Sequence, residues 1–108
     1  MINWARVRDL KNEVGTESYF ELQAIFLAEV EDALTRLNPQ RTATELESDL
    51  HFLKGSALNI GLTRLAELCH YAEVAAKTGA LVPEALVAIT RTYELSRDEL
   101  LAGEIQAA

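Results

Sequence analysis

One cysteine, two prolines and a thin share of aromatics mark what this chain of 108 residues does without. A single cysteine excludes an internal disulfide framework, so nothing calls for an oxidising compartment. No apolar stretch approaches the ~20 residues that a membrane span requires. The opening MINWARVRDL lacks the continuous apolar core of a signal peptide. Positive charge is scarce as well: 10 Lys and Arg stand against 17 Asp and Glu, a net charge of -7. Nucleic acid is therefore a poor partner, because affinity for it comes largely from basic side chains that neutralise phosphates. These absences lead to the expectation of a cytoplasmic monomer with no nucleic-acid or membrane partner. The length suits one domain over residues 1–108, and the initiating Met1 favours a stand-alone protein.

What is present is helical. Breakers fall at Gly15, Asn38-Pro39, Gly61, and Gly79 with Pro83. Between them, apolar residues recur at spacings of three and four. The pattern predicts helices over about Asn3 to Val14, Glu17 to Leu37, Ala43 to Ile60 and Leu62 to Thr78, then a fifth opening at Pro83. Ser18 with Glu21, and Thr42 with Glu45, have capping-box spacing. The stripes are Trp4, Val7, Leu10 and Val14; Tyr19, Leu22, Phe26, Val30, Ala33 and Leu37; Leu46, Leu50, Leu53, Ala57 and Ile60; Leu65, Leu68, Cys69, Ala72 and Ala76; Leu86, Ile89, Tyr93, Ser96 and Leu100. The tail GEIQAA is expected to fray. No segment reads as a strand. Short connections make neighbouring helices antiparallel. The expected fold is all-α: an antiparallel up-down-up-down four-helix bundle with a short extra N-terminal helix.

The stretch HFLKGSALNIG, His51 to Gly61, does not fit an ordinary surface helix. At ~100° per residue, His51 lies roughly 140° from the centre of the third stripe and Gly55 about 180° from it. Both face water, with Lys54 and Leu58 flanking the histidine. An exposed mid-helix glycine costs about 1 kcal/mol against alanine. Its compensation is that another molecule can come close to the histidine. A neutral imidazole has a nitrogen lone pair free to attack. Phosphoryl transfer needs in-line access and compensation for charge on the equatorial oxygens. Gly55 supplies the first and Lys54 the second.

HFLKGSALNIG followed by LTRLAELCHYAE resembles the histidine-containing phosphotransfer (HPt) domain family, including the yeast phosphorelay intermediate and the phosphotransfer domain of chemotaxis kinases. The matching residues are His51, Lys54, Gly55, Ser56 and Gly61, with the Leu68-Cys69 pair on the next helix. The resemblance implies a bundle whose histidine takes a phosphoryl group from a receiver aspartate and passes it reversibly to another. It implies response-regulator receivers and a hybrid histidine kinase as partners. It also implies a phosphocarrier without ATP-dependent kinase activity of its own. No cofactor or metal is expected on this chain, since any Mg2+ would sit on the receiver. The alternative is a helical adaptor that binds receivers without being phosphorylated. A di-iron bundle is a weaker rival, since Glu67-Leu-Cys-His70 occurs once and points outward.

If the third and fourth helices turn at Gly61, His70 to Glu73 lie alongside His51. Glu73 on the flank of its helix is placed to accept a hydrogen bond from Nδ1–H, leaving Nε2 free to attack. His70 and Lys77 match positions near the site in the related domains, and Ser56 in the family chiefly keeps the helix slim. Phe20, Ile25 and Leu58, off their stripes, are expected to form an apolar patch where a receiver docks.

Overall fold

The computed structural model describes residues 1–107, with side chains described as far as Gly103. It contains five α-helices: α1 (Trp4–Val14), α2 (Thr16–Leu34), α3 (Ala43–Asn59), α4 (Thr63–Thr78) and α5 (Pro83–Ala107). Among the described residues there is no strand, only an isolated bridge between Ile2 and Leu62. The expected fraying of the tail is not seen in the backbone, which stays helical to Ala107; Ala108 lies outside the described residues.

Local chemistry accounts for most boundaries. Thr42 and Glu45 form the expected capping box at the start of α3, each side chain bonding the other's backbone N–H. Pro83 opens α5, where its missing N–H costs nothing. The Ser18–Glu21 box does not form. Gly15 alone separates α1 from α2, and α2 begins at Thr16, so Ser18 already lies inside its first turn. At the other end, α2 stops at Leu34 rather than Leu37, and Arg36 and Leu37 continue in a tighter turn, bonding the carbonyls three residues back.

Buried residues from every helix form one apolar cluster. In α3 and α5 the expected stripes are buried in full. In α2 the stripe is rotated: Gln23 and Leu27 are buried with Tyr19 and Val30, while Leu22 and Phe26 are only partly covered. Gln23 satisfies its amide on the Tyr19 hydroxyl at 3.1 Å, which makes its burial affordable.

Helices α3 and α4 run antiparallel, since Glu47 faces Lys77 and His51 faces Glu73. The N-terminal segment braces their turn. Asn3 N–H donates to the Gly61 carbonyl at 2.8 Å, Arg6 Nε to that of Asn59 at 3.0 Å, and Thr63 Oγ1 to that of Met1 at 2.8 Å. At the opposite end of α3, Asp49 binds Arg41 at 2.7 Å and lies 3.7 Å from Arg36, which itself binds Asp32 at 2.7 Å. That network joins the end of α2, the following loop and α3.

Candidate phosphotransfer site

The centre of the site is on α3, two residues past Asp49. His51 is 71% exposed, whereas the Glu73 side chain beneath it is 8% exposed. Glu73 Oε1 lies 3.0 Å from His51 Nδ1, and Oε2 accepts from Lys54 Nζ at 3.2 Å. One buried carboxylate thus holds two donors from successive turns of α3. Burial pushes the Glu73 carboxyl up, but the hydrogen bonds from His51 and Lys54 outweigh it and hold the group below the usual carboxylate value. It is therefore ionised at neutral pH. An ionised carboxylate only accepts, so Nδ1 carries the proton of the neutral ring. Nε2, on the other side of the imidazole, then has its lone pair free.

Gly55 lies one turn further along α3. A Cβ built there would meet nothing within 4 Å, so the space beside the histidine is open. Ser56, next in sequence, is buried and turns into the core. Cys69 is also fully buried; burial, reinforced by the Glu73 charge, pushes its thiol up to about 12. It is core packing with no available thiolate.

The remaining expected residues divide. His70 and Lys77 share the Glu73 flank of α4, by their spacing of three and four from it. His70 is exposed with its ring beside Tyr71. Lys77 Nζ lies 3.9 Å from Glu47, one turn before His51. Leu58, Phe20 and Ile25 are all exposed, but they do not make a single patch. At ~100° per residue, Phe20 falls within about 20° of Glu31 on the α2 surface. Glu31 pairs with Tyr93 and Arg97 of α5, and Lys11 of α1 stacks over the Phe20 ring. Ile25 falls within about 20° of Asp32 on the opposite flank; Asp32 binds Arg36, which approaches Asp49 of α3. Phe20 thus lies on the α5 side of α2, away from α3. The sequence reading also passed over Phe52, an exposed aromatic next to His51 and three residues from Asp49, which approaches Arg36. An apolar ring adjacent to His51 and off the buried stripe was the available signal.

Among the described residues no group of three His, Cys, Asp or Glu side chains is placed to hold a metal ion. Glu67 pairs with Arg64 at 3.4 Å. No described helix is long and apolar enough to cross a membrane.

An all-helical fold that presents an exposed histidine beside a lysine and a bare glycine has the parts that phosphoryl transfer calls for. The chain belongs to the Hpt domain family, whose family model matches residues 21–107. Members act as phosphocarriers in two-component phosphorelays and work with receiver domains and histidine kinases. The match begins inside α2, leaving α1 outside it. No curated protein and no solved structure matches the chain.

Proposed function

We propose that this protein is a phosphorelay intermediate whose His51 accepts a phosphoryl group on Nε2 from one receiver's aspartyl phosphate and passes it reversibly to another receiver. The observation that carries the reading is the His51–Glu73 contact: a buried carboxylate at 3.0 Å from Nδ1 beneath an otherwise exposed ring. That arrangement orients a nucleophile, and a helical adaptor has no use for it.

Each neighbour then has a role. Glu73 fixes the tautomer. Lys54 stabilises charge on the transferring group, leaving Glu73 for a phosphoryl oxygen as transfer proceeds. Gly55 admits the receiver's acyl phosphate in line with Nε2, and Ser56 keeps α3 slim where α3 packs inward. Ile25, Phe52 and Leu58 form the apolar surface on which the receiver docks. Phe20 lies outside it, and His70 and Lys77 flank it without joining the chemistry. α2 to α5 act as an up-down-up-down bundle with α1 leaning on the α3–α4 turn, in one domain over residues 1–108. The phosphoryl group originates at a hybrid histidine kinase, and Mg2+ sits on the receiver. The protein is a monomeric, cytoplasmic carrier without kinase activity of its own.

Incubation with a phosphorylated receiver, followed by intact mass, tests the reading. The wild type and His70→Gln should each gain one phosphoryl group, and His51→Gln none. Gain by His51→Gln and not by His70→Gln would move the acceptor to His70.

A further inference from the structure

Most charged groups around the site already have partners. Glu47 meets Lys77 at 3.9 Å, Glu73 holds His51 and Lys54, Asp32 holds Arg36, and Asp49 holds Arg41. Glu29 of α2 is different. Its side chain is exposed and, among the described residues, makes no hydrogen bond or ion pair.

Its place on α2 gives that free charge a use. At ~100° per residue Glu29 lies about 180° from Phe20, and so away from the α5 side. Ile25 is four residues earlier, within about 40° of the same line, and is exposed. Height along the bundle follows from the approach of Arg36 to Asp49 at 3.7 Å. With α2 and α3 antiparallel, as proposed above, Glu29 is about two turns back from Arg36, and Gly55 about two turns on from Asp49. The free carboxylate thus stands level with the bare glycine. Glu21 is also unpaired among the described residues, but lies about two turns further along α2 from that level.

A receiver that approaches closely at Gly55 and rests on Ile25 takes water away from Glu29. A carboxylate that loses water without gaining a partner opposes docking, whereas a cation opposite it favours docking. We infer that Glu29 takes up a lysine or arginine of the receiver, and so selects receivers with a basic side chain where their docking surface crosses α2 beside Gly55. The inference rests on the reading that a receiver docks over His51. A neutral or acidic residue at that point of another receiver is penalised, which is selection by repulsion as well as by attraction. Glu29 does not touch the reacting atoms in this scheme. It acts on encounter and affinity, and the chemical step within the docked complex is independent of it.

The test measures transfer from one receiver that phosphorylates the wild type, with receiver concentration varied, at ~0.05 M and ~0.5 M salt. Glu29→Gln and Glu29→Lys are compared with the wild type, and Glu94→Gln, at an exposed position on α5, controls for loss of charge alone. At low salt Glu29→Gln should need about fivefold more receiver for half-saturation, and Glu29→Lys more still. The limiting rate at saturation should be unchanged, the difference should shrink at high salt, and Glu94→Gln should behave as the wild type. Changing one basic residue of the receiver to Glu should restore Glu29→Lys. A Glu29→Gln that matches the wild type at low salt, an equal loss in Glu94→Gln, or a loss confined to the limiting rate overturns the inference and leaves His51 as the acceptor. So does a receiver in which no such reversal restores Glu29→Lys. Failure of every receiver to phosphorylate the wild type overturns the reading beneath it.

Discussion

Gly55 and Gly61 stand six residues apart in one stretch, HFLKGSALNIG, and have opposite reasons to be glycine. Gly61 has φ +81°, in the left-handed region, and a Cβ there would lie 2.9 Å from the Asn3 carbonyl oxygen. Its own carbonyl accepts from Asn3 N–H at 2.8 Å, so the backbones are pinned together. Gly55 has ordinary helical backbone and nothing within 4 Å of a would-be Cβ. The fold requires the first. It gains nothing from the second, which costs helix propensity. On the proposed reading, the glycine that the structure does not need is the one beside which a receiver needs room.

Substitution at these positions and their neighbours can break that contrast. The largest effect is expected at Gly61. Gly61→Ala forces a left-handed alanine against a fixed carbonyl and should cost about 2–3 kcal/mol in urea unfolding. Its folded fraction should still transfer at the normal rate. Next comes Lys54→Ala, which removes one charge-assisted contact to the moving phosphoryl group. Single-turnover transfer should slow by about tenfold, or about 1.4 kcal/mol in the barrier, with receiver affinity nearly unchanged. A similar loss in affinity would make Lys54 a docking residue.

Gly55→Ala should raise stability by about 0.5–1 kcal/mol while slowing transfer, and Gly55→Gln should slow it further. Unchanged kinetics in Gly55→Gln would remove the functional account of this glycine. The smallest effect is in acid. Glu73 is held below its ordinary value, so its contribution to stability is complete above about pH 4.5 and is lost as pH falls through the lowered folded-state value. Below that pH the wild type should lose more stability than Glu73→Gln, as read from urea midpoints.

Much of this was legible in the sequence, for reasons that also explain the rest. Local signals placed α3 almost to the residue, because Thr42 and Glu45 cap it and its stripe is clean. The turn at Gly61 then set the register that brings Glu73 under His51. Apolar periodicity shows which side of a helix is buried, but not which helix lies on each flank. Phe20 and Ile25 therefore looked equivalent in sequence, although α2 turns one toward α5 and the other toward α3. Gln23 was invisible as a core residue because its burial depends on the Tyr19 hydroxyl within the folded helix. The Asp49–Arg36–Arg41 cluster joins three segments, and no single-helix pattern reports it.

The account turns on the tautomer that Glu73 imposes on the resting histidine. Nitrogen-15 NMR of the unphosphorylated protein at mildly alkaline pH reads it directly, with His70 as an internal control. His51 should show a protonated Nδ1 and a bare Nε2, and Glu73→Ala should lose that preference while His70 stays as it was. A His51 ring protonated on Nε2 in the wild type, or one indifferent to the loss of Glu73, would contradict the account.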